Sequence, residues 1–238
     1  MKKGCLIALT VLLAIGAVGL IALYWLFFVP HGIEIDKQQY PITGIDVSNH
    51  TGKIDFKQLK AQSIDFVYLK ATEGANYTDP SFETNYKGVK AQRIPVGAYH
   101  FFRFNKPGDA QAEVFLAAIR QKKLDLPLVL DVEEWGNFGK KNKSSVINEI
   151  AVFIREVEKR TGRKIMLYSN ESGYKTYLAA SFPNQPIWIC SFSNPPEIKS
   201  KWTFWQHSHK GKLKGTEGYV DLNTFNGGLS AWKAFLGG

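Results

Sequence analysis

The residues in this chain best suited to chemistry are carboxylates that follow apolar runs. The clearest pair ends the run Leu-Val-Leu-Asp131-Val-Glu133, with Glu134 next. On an extended chain Asp131 and Glu133 stand at i and i+2 and project from the same face. Two like charges held close make it costly to ionise both, so one carboxyl keeps its proton nearer neutral pH. Such an acid can donate to a leaving group beside an ionised partner, the arrangement that glycoside hydrolysis uses. The Asp-x-Glu spacing alone leaves a second reading open, in which two solvated carboxylates follow a strand end. Glu134, at i+1, faces away from Glu133. Asp46, Glu73 and Asp221 also follow apolar runs, where a strand's own packing gains nothing from charge. Tyr99, His100, Tyr168, Trp188 and Gln206 stand in or at the ends of other such runs. Gathered at one mouth, these side chains form an acidic, aromatic-lined cleft.

Other candidates have a bland reading beside the sharp one. His207 and His209 form an H-x-H pair, but a third metal ligand is not evident, so no metal site and no cofactor are expected. Trp188 and Trp205 can stack on sugar rings or simply fill a core. Lys70, inside an apolar strand, needs a partner such as a cleft carboxylate or else snorkels to the surface. Gly74, Gly97 and Gly136 read as turn or close-approach glycines. The chain has no G-x-x-x-x-G-K or G-x-G-x-x-G pattern, so nucleotide binding lacks support.

The elements that must position these residues are legible as alternating runs. Strand candidates are Ile45–Ser48, Phe66–Ala71, Pro95–Phe102, Leu128–Glu133, Lys164–Ser169, Ile187–Phe192, Thr203–His207 and Tyr219–Thr224, most of them rich in β-branched and aromatic residues. Helical stretches fall near 55–62, 80–92, 108–122, 144–161, 171–180 and 229–236. Asp109 and Ser144 read as helix starts and Gly162 as a helix stop. Eight strands alternating with helices predict a (β/α) barrel, whose active site forms at the strands' C-terminal ends. The chain is short for that fold, typically about 250 residues, and Phe182–Val220 leaves little room for helices. The barrel is therefore expected to be reduced or irregular in its second half.

The 238 residues carry 30 Lys and Arg against 21 Asp and Glu, a net charge of +9. The positive charge is dispersed, which argues against nucleic-acid binding and suits a solvated surface or an anionic lipid or wall polymer. At the N-terminus, Lys2 and Lys3 precede Cys5–Val29, a run of 25 residues without formal charge. A helix of that length, at about 1.5 Å per residue, crosses a hydrocarbon core of roughly 30 Å. The run is longer than a cleaved signal peptide's apolar region and ends in Trp25, Phe27 and Phe28 instead of small residues. It is read as a transmembrane signal anchor over 5–29, with residues 1–4 cytoplasmic by the positive-inside rule. Residues 30–42 are read as a linker, and 43–238 as an extracytoplasmic domain, periplasmic or extracellular. Cys5 and Cys190 are the two cysteines and are too differently placed to pair, so the domain relies on its core.

As a whole the chain resembles glycoside hydrolase family 25, lysozymes that cleave peptidoglycan between N-acetylmuramic acid and N-acetylglucosamine. The matching stretches are GIDVSNHTGKIDF from Gly44, FVYLKATEGANYTDPSFETNY from Phe66, VGAYHFFRF from Val96, LPLVLDVE from Leu126, FWQHS from Phe204 and GYVDLNTF from Gly218. They occur in family order and span residues 44–226. The resemblance implies a flattened, irregular TIM-like (β/α) barrel, here preceded by one transmembrane helix. It implies that Glu133 is the general acid, that Asp46, Asp131 and Asp221 surround it, and that Tyr99, His100, Tyr168 and Gln206 line the cleft. Trp188 is a further candidate for sugar contact. His50 stands where many members have Gln. Two routes are open, direct attack by Asp46 or Asp131, or attack by the substrate's own 2-acetamido group oriented by Asp131; both retain anomeric configuration, and the second is preferred. The expected partners are peptidoglycan and, through 5–29, the membrane. Two other functions compete. A wall-saccharide-binding protein without turnover would have no need of all four acids. A metal-dependent polysaccharide deacetylase would show an Asp/His triad, which is absent from the motifs above.

Overall fold

The computed structural model describes residues 7, 11–20, 32–137, 139, 142–193, 195–198 and 201–237. They belong to two compact units, Met1–His31 and Gly32–Gly238. In the first, residues 11–20 are helical with exposed side chains; the rest of the expected 5–29 span, Ile7 apart, lies outside the described residues. Among the described residues no helix is long and apolar enough to cross a membrane.

The second unit is built on strands β1 (Thr43–Val47), β2 (Phe66–Glu73), β3 (Tyr77–Thr78), β4 (Val96–Phe101), β5 (Val129–Asp131), β6 (Met166–Asn170), β7 (Ile187–Cys190), β8 (Phe204–Gly211) and β9 (Val220–Phe225). β1 pairs with both β2 and β9, so the order β1-β2-β4-β5-β6-β7-β8-β9 closes into an eight-stranded barrel. β3 is a short antiparallel flap on the end of β2. All barrel pairings are parallel except those of β9, which runs antiparallel to both β8 and β1.

The helices are α1 (Phe56–Ala61), α2 (Phe82–Ala91), α3 (Gly108–Ile119), α4 (Lys143–Thr161), α5 (Glu171–Gly173, continued by a π-helical turn Tyr174–Leu178) and α6 (Leu229–Gly237). They follow the first five parallel strands and β9. Between β7 and β8, and between β8 and β9, the described residues contain none. The second half is thus the reduced half, as the spacing predicts. α4 begins at Lys143, one residue before the start predicted at Ser144. Asn142 is the cap, its Oδ1 accepting from the Ser144 and Ser145 amides at 2.9 and 3.3 Å. Gly162 ends α4 in the left-handed conformation at φ 67°.

Strand alternation divides the apolar residues between two layers. Outward-facing Ile45, Val67, Leu69, Leu130 and Leu167 pack under the helices with Phe115 and Phe153. Inward-facing Phe66, Tyr68, Met166, Trp188, Phe204 and Phe225 fill the lumen. With both faces buried, the strands read as near-continuous apolar runs. Gly97 makes the filling possible, because a Cβ there would stand 2.2 Å from the Tyr68 ring. α6 closes the floor: Trp232 lies 5.1 Å from Phe225 and 5.5 Å from Phe66, centroid to centroid.

Residues 32–42 are not a free linker. Gly32 bridges to Ser208, the Ile33 amide donates to the His207 carbonyl at 2.9 Å, and Tyr40 and Ile42 are buried. The segment is short and partly polar in sequence, which hides how its apolar residues dock. Tyr40 packs its ring 5.7 Å from Trp205.

Candidate active site

At the C-terminal end of the parallel strands the lumen changes from apolar to polar, one layer above Tyr68 and Trp188. Asp46 enters from β1, Lys70 from β2, Tyr99 from β4, Asp131 and Glu133 from β5 and beyond, Tyr168 from β6, Cys190 from β7, and Gln206 from β8. Asp221 and Asn223 come from β9, whose antiparallel direction brings its first residues to this end. Asp46 and Asp221 face each other in the β1–β9 register.

Asp46 is buried and held. Its Oδ2 accepts from Gln206 Nε2 at 2.8 Å and from Asn223 Nδ2 at 2.7 Å. Gln206 is oriented in turn by the Tyr168 hydroxyl, which donates to its Oε1 at 2.7 Å, and Asn223 by Trp188 Nε1, which donates to its Oδ1 at 2.9 Å. Burial, and then the charge of Asp221, push the Asp46 carboxyl well above the usual range despite these donors. Asp131 is buried too, and among the described residues its Oδ1 has no hydrogen-bond partner. Burial and then Glu133 raise it well above the ordinary carboxylate value, with Lys70 opposing. Glu133 is raised in the same way, first by burial; the nearby Tyr168 hydroxyl and the charge of His209 pull it back. Asp46 and Asp131 are each 7% exposed, whereas Glu133 is only half-buried. Of these three raised carboxyls, Glu133 is the one that reaches the mouth. Tyr99 stands beside them, its phenol pushed up by burial and by Asp46 and Asp131.

Val132 separates Asp131 from Glu133 and is fully buried in the outer layer, so the two acids share the inner face. Glu134 is exposed, as i+1 requires. Beyond it the chain is clamped by Asn137, whose Nδ2 donates to the Glu133 carbonyl at 2.8 Å and to the Phe102 carbonyl at 2.9 Å. Gly136 takes φ 77° to make that turn.

Two residues expected in the cleft lie elsewhere. His100 follows inward-facing Tyr99, so alternation turns it outward. It is fully buried between Thr72 Oγ1 at 2.7 Å and Gln111 Oε1 at 3.2 Å, and stacks on Phe153. Burial pushes it down to about 4, so it is neutral. Trp188 does face inward, but 2% exposed it lies under the polar layer and holds Asn223 instead of presenting a face to a ligand. Trp205 is core, fully buried in the outer layer.

Asn223 joins the site although sequence reasoning passed it over. Asn223 is i+2 from Asp221, the alternation signal that would have found it. Lys70 pairs with Glu73, which also accepts from Arg103 Nε at 2.8 Å. Burial works against the Glu73 charge, yet Lys70 and Arg103 hold its carboxyl below the usual value. The H-x-H pair is split by irregular β8–β9 register. His207 Nδ1 lies 3.0 Å from the Ile33 carbonyl, while His209 Nδ1 is 2.8 Å from Asp221 Oδ1 and its Nε2 3.6 Å from Cys190 Sγ. Burial opposes a charge on His209, but Asp221 overcomes it, so the imidazole is raised and cationic. Burial pushes the Cys190 thiol up, so it stays protonated. Among the described residues no group of three His, Cys, Asp or Glu is arranged to hold a metal ion.

The chain as a whole is similar to known proteins. The family model described as "Glycosyl hydrolases family 25" matches residues 45–216. The chain belongs to glycosyl hydrolase family 25. Among family 25 structures, that of a family 25 glycosyl hydrolase from Bacillus anthracis superposes with a TM-score of 0.78 at 36% identity, covering 87% of this chain and 97% of that one. Lysozyme M1 of Streptomyces globisporus is 34% identical over 78% of this chain and 68% of its own length. The uncharacterized protein YegX of Escherichia coli is 35% identical over 84% of this chain and 75% of its own. The family 25 match spans every element that contributes to the carboxyl layer except β9, which brings Asp221 and Asn223 after residue 216.

Proposed function

We propose that this family 25 glycosidase is a membrane-tethered muramidase that cleaves the β-1,4 bond between N-acetylmuramic acid and N-acetylglucosamine in peptidoglycan, with Glu133 as general acid. The observation that carries the assignment is the graded burial of three neighbouring carboxyls. Asp46 and Asp131 lie nearly buried below the mouth, and Glu133, raised by the same environment, reaches it. An acid that protonates a leaving oxygen must both hold its proton and touch the substrate.

The reaction retains configuration with help from the substrate's 2-acetamido group. Glu133 delivers its proton to the glycosidic oxygen as the acetamide oxygen attacks the anomeric carbon. Asp131 favours this route. It shares the inner face with Glu133 and keeps 7% of its surface exposed, so its carboxyl can accept from the acetamide N–H of a sugar seated against Glu133. Glu133, left as a carboxylate, then activates water to open the intermediate. Asp221, paired with His209, faces the developing positive charge, and Asp46, fixed through Gln206 and Asn223, lines the wall beside it.

The test is digestion of purified peptidoglycan by the full-length protein beside Glu133→Gln, with mass analysis of reduced products. Wild type is expected to release fragments with reducing muramic-acid ends, and the variant to lose at least a thousandfold in rate. Wall binding without cleavage by either protein would sink the assignment and leave a saccharide-binding module.

A further inference from the structure

Beside the carboxyl layer lies a second concavity. The loops after β2, β4 and β5 enclose a cavity of about 340 Å³ lined by Glu73, Tyr77, Arg103, Asn105, Lys106 and Asn137, among others. That volume falls within the range of small-molecule sites. Its position is set by the catalytic strand itself, because Gly136 and Asn137 are on its wall and Asn137 holds the Glu133 carbonyl.

The chemistry of this lining differs from that of the carboxyl layer. Glu73 is fully neutralised, accepting from Lys70 on one oxygen and from Arg103 on the other. Arg103 is also tied to the Gly136 carbonyl, so its guanidinium is fixed in place. Lys106 is exposed, and among the described residues its ammonium has no ion-pair partner. The lining therefore carries a positive charge in excess, a few residues from a site built of carboxylates. Asn76 and Asn105, both exposed, also line the cavity, and each offers a carboxamide able to donate and accept. A neutral glycan gives a lysine nothing to pair with. An acidic peptide supplies both features, carboxylates for Lys106 and Arg103 and amides for the asparagines.

We infer that this cavity binds the acidic stem peptide carried by the muramyl residue at the cleaved bond, and so makes peptide-bearing glycan the preferred substrate. The inference rests on the muramidase reading, because that peptide hangs from the sugar that Glu133 must serve. A polymer of phosphates would also be drawn to Lys106, but it makes poor use of paired carboxamides.

The experiment uses the full-length Glu133→Gln protein, so that binding is read without turnover. It is titrated calorimetrically with a disaccharide–tetrapeptide and with the same disaccharide lacking peptide. The peptide form is expected to bind at least tenfold tighter, with the advantage shrinking as salt is raised. Adding Lys106→Glu, or separately Asn105→Asp, is expected to reduce the ratio of the two affinities at least fivefold. Two different positions guard against a single misfolded variant. Equal affinity for the two ligands, or a ratio unchanged in both variants, would overturn the inference. So would binding of a polyglycerol phosphate that displaces the peptide form and is equally sensitive to Lys106→Glu. In parallel, wild type is given wall before and after an amidase strips its peptides. Cleavage of neither substrate counts against the muramidase reading, while the titration still decides the cavity.

Discussion

The carboxyl layer buries acid groups where the fold gains nothing from their charge, and that sets a measurable cost. Asp131 has a folded pKa raised above its unfolded value, so its contribution to stability is present below about pH 4 and lost as pH rises through the higher folded value. Asp131→Asn removes the titration. The variant is expected to unfold a few degrees above wild type at pH 7, on the order of 1 kcal/mol, with the gap closing by pH 4. Thermal melts at the two pH values check this, and a gap that widens toward acid would refute it. His209 offers a second residue-scale test. Its cation lowers the proton affinity of Glu133, against the larger effect of burial. His209→Asn should therefore let Glu133 hold its proton to higher pH, moving the basic limb of the kcat/KM profile upward. A uniform loss of rate with no shift of the limb would mean a purely structural role. The spacing of Asp131 and Glu133 was readable because alternation puts i and i+2 on one face. The same rule, applied to Tyr99, would have turned His100 away from the cleft. Trp188 obeys alternation and still misleads, because depth along the lumen, not facing, decides whether a ring meets ligand or core.

At the scale of elements, what was legible follows from burial on two faces. Strands covered inside and out become continuous apolar runs, so all eight barrel strands stand where those runs lie. Direction was not legible. Nothing in Tyr219–Thr224 reveals that β9 runs antiparallel, yet only that direction brings Asp221 and Asn223 to the mouth while sending Phe225 to the floor. The docked residues 32–42 were hidden for a related reason, since one buried Tyr and one buried Ile in a polar stretch carry no periodicity. The floor gives a test at this scale. Trp232 of α6 is 7% exposed and packs its ring against Phe66, Phe225 and Phe235. Trp232→Ala opens the lumen from below and is expected to cost about 3–5 kcal/mol, as large-to-small core changes do. Denaturant unfolding of the full-length protein reads this directly. A loss under 1 kcal/mol would mean that α6 merely covers the barrel and does not plug it.

For the whole molecule the open question is where the barrel works, and here the chain's charge pattern is the guide. Cys5–Val29 is free of formal charge, with Lys2 and Lys3 before it and no further Lys or Arg until Lys37. Polypeptide of that pattern inserts with its basic end in the cytoplasm. The barrel that follows relies on no disulfide, its one described cysteine being the buried, unpaired Cys190. The export proposed above therefore requires no oxidising step for the barrel to fold. An enzyme held this way acts on wall within reach of its own membrane, which suits local remodelling better than lysis of other cells. Fractionation tests the tether. The full-length protein is expected to stay with membranes through a high-salt wash that strips proteins held by charge alone, and a C-terminal tag should be digestible by protease added outside spheroplasts. Replacing Lys2 and Lys3 with Glu removes the charge bias and should lower the protease-accessible fraction, because orientation is set by basic residues near the span. A soluble form whose N-terminus begins after residue 15 would mean that the segment is cleaved, and the enzyme would then be free to act at a distance.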